Sequence, residues 1–159
     1  MRDEADVLQT IDAYADMLRR VCFVYTKNSH DTEDVFQDVF LKYALYKKPF
    51  TSDEHKKAWL IRVSINRCKD MLKAVGRKNR PLSELYDFPQ PPDTRQREVF
   101  DAVLALPENF RTTVYLHYYE GYTAPEIAGI LRKNPNTVYT WLARAREELK
   151  QTLGGEPDA

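Results

Sequence analysis

The 159-residue sequence predicts an all-α protein of two small helical domains. An N-terminal three-helix domain spans residues 1–80 and a C-terminal four-helix domain spans 95–153, joined by a Pro-rich linker over 81–94. Three observations predict this. Apolar residues recur at three- and four-residue steps through most of the chain, the period of amphipathic helices. No strand-like alternation of useful length occurs, and no internal repeat. The stretch PLSELYDFPQPPDT holds four prolines, and Pro91-Pro92 cannot continue a helix.

The first helix follows from Val7, Leu8, Ile11, Tyr14, Ala15, Leu18, Val21, Cys22 and Tyr25. Asp31 or Thr32 is expected to cap the second, whose apolar positions are Val35, Phe36, Val39, Phe40 and Tyr43. Pro49 and the polar TSDEH segment break the pattern. A third helix carries Trp59, Leu60, Val63, Met71, Leu72 and Val75, with Trp59 expected in the core. Three such stripes can bury one common core. Beyond the linker, Val99, Phe100, Val103 and Leu104 mark a fourth helix. Pro107 opens a fifth, which carries Phe110, Val114, Leu116 and Tyr118 and ends before Gly121.

The last two helices lie in EIAGILRKNPNTVYTWLARAREE, joined across Asn134-Pro135-Asn136. Val138, Leu142, Ala145 and Leu149 form the inward stripe of the final helix, and Ile127, Ala128 and Leu131 that of the one before. The small Ala128 lets the two cross closely, and Asn136 or Thr137 can cap the final helix. Thr137, Tyr139, Thr140, Ala143 and Arg144 remain outward or at the flank. This is the pattern of a helix-turn-helix, whose second helix presents its N-terminal residues to base edges. A plain helical hairpin docking on a protein is the simpler alternative, but donors and aromatics at the groove-facing end favour DNA.

Composition narrows the function. No run of 18 apolar residues is present, so no membrane insertion is expected, and MRDEADVLQT lacks a secretory pattern. Cys22 and Cys68 suit small core residues in a reducing compartment. His30, His55 and His117 lie far apart without metal spacing, no Gly-rich phosphate loop occurs, and neither cysteine has an evident base beside it. Neither catalysis, nor a cofactor, nor a small-molecule substrate is expected. Net charge is zero, yet its distribution is lopsided. Residues 1–38 hold nine acids against four bases, and residues 56–80 hold nine bases against one acid, Asp70. A polyanion responds to the local cluster, not to the sum.

Taken together, these segments resemble one family nearly end to end. YTAPEIAGILRKNPNTVYTWLARAREEL is similar to the promoter-reading C-terminal region of bacterial RNA polymerase sigma factors of the extracytoplasmic-function type. Tyr122, Thr123, Glu126, Ile127, Ala128, Thr137, Val138, Leu142, Arg144, Ala145, Arg146 and Leu149 match its pattern. LPENFRTTVYLHYYEGYT resembles the segment that precedes it there. DTEDVFQDVFLKYALY resembles the family's polymerase-docking segment, and KKAWLIRVSINRCKDMLK the helix that reads the melted −10 element. Two departures stand out. Arg132 and Lys133 occupy turn positions where the family usually has Gly and an apolar residue. Tyr139, Thr140 and Trp141 replace a commonly basic stretch, so apolar contact to thymine methyls is expected to outweigh guanine contacts.

The resemblance implies a cytoplasmic, nucleoid-associated initiation factor. Its partners would be the polymerase core, through the β′ clamp and β flap, and promoter DNA; an inhibitory anti-sigma factor is common in the family. Core docking falls on Asp34, Gln37 and Asp38, carboxylates and an amide beside an apolar stripe. Single-strand binding at the −10 element falls on Arg62, Asn66, Lys69 and Lys73, spaced four, three and four on one helix face. Asn66 suits base reading because an amide both donates and accepts. Lys56 and Lys57, with the loop before them, border a pocket for a flipped base, and Arg77, Lys78 and Arg80 would meet duplex phosphate or keep the helix end soluble. At the −35 element, Asn136, Thr137, Tyr139 and Thr140 would face bases while Arg144 and Arg146 meet phosphate. A stand-alone duplex-binding regulator and a protein-binding adaptor are the competing classes.

Overall fold

The computed structural model describes residues 1–74 and 93–154. Val75, the basic residues Arg77, Lys78 and Arg80, and linker positions 81–92 lie outside the described residues. The chain divides into two compact units, Met1–Phe88 and Pro89–Ala159. Among the described residues every regular element is helical, and no helix is long and apolar enough to cross a membrane.

The first unit packs α1 (Glu4–Thr26), α2 (Ser29–Leu45) and α3 (Asp53–Ala74) against one another. Leu18, Val21, Cys22 and Phe23 of α1 meet Val35, Val39 and Tyr43 of α2 and Leu60, Ile61, Ile65 and Cys68 of α3 in one buried core. Trp59 is buried as expected. Two expectations are corrected. Leu8 is exposed, because the first turns of α1 direct Asp6 and Thr10 inward, toward Tyr43, and Leu8 lies on the other side. The inner face of α3 runs through Ile61, Ser64, Ile65 and Cys68, while Val63 turns sideways toward α2. The α2 cap also differs: Asn28, not Asp31 or Thr32, accepts from the Asp31 N–H at 2.8 Å. Helix α1 stops because Lys27 adopts a left-handed conformation (φ 59°), and its N–H bonds the Phe23 carbonyl.

The second unit contains α4 (Thr94–Leu104), α5 (Glu108–Val114), α6 (Ala124–Leu131) and α7 (Pro135–Thr152). Thr94, read as linker, opens α4, because the Asp93 side chain accepts from the N–H groups of Arg95 and Gln96. Helix α5 runs on into one π-helical turn, Tyr115–Tyr119, which periodicity did not reveal. Gly121 closes the turn at φ 78°, where a Cβ would be strained. Buried Arg111 donates to the Leu104 and Leu106 carbonyls at 3.3 and 3.5 Å, tying α5 to the end of α4. Val103, Val114, Leu116, Ile127, Ala128, Val138, Leu142 and Ala145 form this unit's core.

Candidate polymerase-docking and nucleic-acid surfaces

On α2 the three docking candidates are exposed, beside the buried stripe of Val35 and Val39. They are not equivalent. Asp38 accepts from Arg67 Nε of α3 at 2.7 Å, so its carboxylate is already oriented. Asp34 lies 3.7 Å from the His30 imidazole one turn earlier. The same side of α2 continues as Leu41 and Leu45, which are 61% and 55% exposed. With Asp38, Val63, Asn66 and Arg67 these leucines line a cleft of about 320 Å³ between α2 and α3. Helical periodicity cannot reveal this cleft, since it forms only when the two helices pair.

On α3, Asn66 and Lys73 are exposed and Arg62 and Lys69 half-buried, so the predicted row reaches solvent along its length. The eleven steps from Arg62 to Lys73, at about 1.5 Å each, make that row about 16 Å long, the span of a few nucleotides. Lys57 at the start of the helix is half-buried. Lys56 points elsewhere. Its ammonium lies 3.7 Å from Asp6 Oδ1, 3.4 Å from Thr10 Oγ1 and 5.5 Å over the Tyr43 ring. Tyr43 Oη donates to Asp6 at 2.7 Å. That hydrogen bond, aided by the Lys56 and Arg2 charges, holds the Asp6 carboxyl below the usual carboxylate range despite partial burial. Burial works against the Lys56 charge, but Tyr43 and Asp6 outweigh it and raise its pKa. This polar knot lies at the junction of all three helices, and contacts 37 to 50 residues apart build it, so sequence spacing carried no sign of it.

In the second unit a capping box starts α6: Thr123 accepts from the Glu126 N–H, and the Glu126 carboxylate accepts from the Thr123 N–H at 2.9 Å. That backbone bond, with the threonine hydroxyl, keeps the Glu126 pKa low. Arg132 ends α6 in the left-handed region (φ 56°), and the Lys133 N–H returns to the Ala128 carbonyl at 2.9 Å. Asn134, rather than Asn136 or Thr137, caps α7 by accepting from the Asn136 N–H at 2.8 Å, with Pro135 as the first helical residue. Val138, Leu142 and Ala145 are buried as expected; Leu131 and Leu149 are only half-buried, with Ile130 taking an inner place. Asn136, Tyr139, Thr140 and Arg144 are exposed, Thr137 and Trp141 half-buried. Thr140 Oγ1 spends its proton on the Asn136 carbonyl at 3.0 Å and keeps its lone pairs outward. Arg146 donates through Nε to Tyr118 Oη at 2.7 Å, a pairing that the π-helical turn sets up and that spacing did not suggest.

His30, Asp31 and Asp34 also bring one ligand atom each within 4.8 Å of one another, which the histidine spacing had not suggested. Asp31 already accepts from Asn28 Nδ2 at 2.9 Å, as part of the α2 cap.

These surfaces coincide with two family matches. Residues 10–78 match the sigma-70 region 2 family and residues 96–149 the sigma-70 region 4 family. The ECF RNA polymerase sigma factor SigM of Mycobacterium tuberculosis is 31% identical over 142 residues, covering 86% of this chain and 71% of that protein. SigW of Bacillus subtilis, another ECF RNA polymerase sigma factor, is 25% identical over 173 residues, covering 95% and 90%. The fold is shared with the sigma factor RpoE of Bartonella quintana, solved with the anti-sigma factor NepR (TM-score 0.73, 19% identity, 93% of this chain and 96% of that one). It is shared also with CnrH, solved with the cytosolic domain of CnrY (TM-score 0.68, 22% identity, 97% and 91%). The chain belongs to the extracytoplasmic-function family of RNA polymerase sigma factors, transcription initiation factors that bind the polymerase and promoter DNA.

Proposed function

We propose that the two units divide promoter recognition between them, with α2 holding the polymerase core, α3 holding the opened −10 strand and α7 reading the −35 duplex. The observation that carries this reading is the order of surfaces along one chain: a region 2 match over an acidic docking helix and a basic helix, then a region 4 match over a helix-turn-helix. Asp34, Gln37 and Asp38 are the docking residues, and the exposed Leu41 and Leu45 beside them suit a basic, partly apolar partner. Asn66 reads an unstacked base, while Arg62, Lys69 and Lys73 follow the phosphates. The loop between α2 and α3, with Lys57, borders the flipped base. Lys56, engaged by Asp6, serves that loop from beneath.

On α7, Asn136, Tyr139 and Thr140 face bases, with Thr137 at their edge, and Arg144 and Arg146 meet phosphate. The polymerase performs the chemistry of RNA synthesis, and the work is done in the cytoplasm at the chromosome. Relatives solved with NepR and CnrY support an inhibitory protein partner for this chain as well. A stand-alone regulator is not favoured, because the sigma-70 region 2 match over residues 10–78 supports polymerase work for the first unit.

Run-off transcription with core on genomic fragments tests the whole reading: promoter-dependent transcripts are expected only when core and chain are both present. Gln37→Ala with Asp38→Arg should abolish co-purification with core while helicity is retained; normal co-purification would remove the docking assignment. Asn66→Ala should leave core binding intact and lower permanganate reactivity of promoter thymines. Undiminished reactivity would exclude it as the base reader.

A further inference from the structure

We infer that Arg2 is a positioning residue for promoter opening, fixing the α2–α3 loop in the shape that receives an unstacked base. This rests on the proposal that the loop borders that base.

Arg2, just before α1, contacts both the end of α2 and the loop that follows it. Its backbone N–H donates to the Ala44 carbonyl at 2.8 Å. Its guanidinium donates through Nε to the Tyr43 carbonyl at 3.2 Å and through Nη2 to the Lys48 carbonyl at 2.7 Å. A third donor, Nη1, reaches Asp6 at 3.4 Å. The same planar group lies 4.5 Å above the Tyr43 ring and 5.0 Å above that of Phe50. Tyr43 and Ala44 stand in the last turn of α2, where carbonyls run short of helical donors; the Tyr43 carbonyl has the Tyr46 N–H at 3.1 Å and room for a second donor. A cation there satisfies those oxygens and complements the helix dipole. Lys48 stands in the loop itself. One side chain thus bridges the end of α2 to the middle of the connection.

Beneath the guanidinium the loop wraps an aromatic cluster. Phe50 stacks on Tyr43 and Tyr46, with ring centroids 6.0 and 5.5 Å apart, and meets the edges of Trp59 and His55 at 5.6 and 5.1 Å. The Thr51 N–H donates to His55 Nδ1 at 3.1 Å, closing the far end of the loop onto α3. Lys47 and Lys48 are left exposed at its tip. A connection of this length would ordinarily sample many shapes, and each would be a cost when a base must be captured. Arg2 removes that cost in advance by holding Lys48 and Phe50 together. On α2 its contacts fall on the last turn, at Tyr43 and Ala44, at least five residues beyond the docking candidates Asp34, Gln37 and Asp38. Loop order and core docking should therefore separate.

The test uses the full chain assembled with core on promoter fragments whose −10 region is pre-melted. Non-template bases are replaced one at a time by an abasic site, and affinity is measured by competition. In the wild type, one replacement should weaken binding about tenfold, as loss of a stacked base does. In Arg2→Ala that same penalty should shrink to about two- to threefold, a coupling between protein and base, with affinity for core unchanged. Arg2→Lys keeps the charge but cannot span the Tyr43 and Lys48 carbonyls, so its penalty should fall between the two. An equal abasic penalty in wild type and Arg2→Ala would overturn the inference. So would core affinity falling in step with it, since Arg2 would then merely support the domain. If no abasic site affects the wild type, the base-capture reading fails and takes this inference with it.

Discussion

Arg132 holds a backbone conformation that a side chain resists. Its φ of 56° places the Cβ against its own carbonyl, a cost of about 1 kcal/mol that glycine does not bear. The sequence marked this position as a departure from the family's usual Gly; the structure supplies the physical consequence. Arg132→Gly should stabilise the second unit by about 0.5 kcal/mol, because glycine returns part of the gain through a freer unfolded chain. A melting-temperature rise of about 3 °C, with promoter affinity unchanged, is the expected readout. Asp6 makes the opposite point, since nothing local marks it as more than a helix-surface acid. Its lowered pKa means that its stabilisation is fully present above the ordinary value of 3.8 and is lost as pH falls through the lower folded value. The stability gap between wild type and Asp6→Asn should accordingly be constant near neutrality and narrow below about pH 4. A gap that persists unchanged at pH 2 would rule out the ionised carboxylate as its source.

At the scale of elements, sequence periodicity located helices well and their edges and neighbours less well. The stripes of α1, α2 and α7 were legible because each helix packs one narrow face on a common core. Val63 was misplaced because α3 is flanked by both α1 and α2, so that apolar residues on two adjacent faces look like one broad stripe. The π-helical turn at Tyr115–Tyr119 was illegible, since one extra residue in a turn leaves no compositional trace. The caps were missed for a simpler reason: several Asn, Asp and Thr residues crowd each helix start, and only geometry selects among them. Asn134 is the one that caps α7. Asn134→Ala should cost about 1 kcal/mol of stability and loosen the N-terminal end of the helix. Arg144→Ala should instead leave the melting temperature alone, weaken duplex binding at all sequences alike and reduce the salt slope by about one. The two variants separate a scaffold defect from a phosphate contact, with calorimetry reading the first and a salt titration of promoter affinity the second.

For the whole molecule, the balance of charge decides how it can meet DNA. Twenty-four basic side chains are matched by twenty-four acids, so long-range attraction to a duplex is weak in sum. The acids concentrate at the front of the chain and the bases in residues 56–80, so the weak sum conceals two sequence blocks of opposite sign. On the proposed division of labour, the acids of α2 in the free protein repel the phosphates that α3 would hold. Docking α2 on a basic partner would mask that repulsion and leave the α3 row to act, which would link polymerase binding to strand capture. The chain alone should therefore bind a promoter duplex no tighter than about 1 μM at physiological salt, the range of nonspecific binding. The same fragment should be held far more tightly once core is added. Neutralising part of the acidic surface should narrow that difference: Asp34→Asn with Asp38→Asn should raise the free chain's affinity for DNA while lowering its affinity for core. Fluorescence anisotropy of a labelled promoter, titrated with chain in the presence and absence of core, reads both quantities. Tight, sequence-specific binding by the free chain would contradict the masking argument and restore the stand-alone regulator.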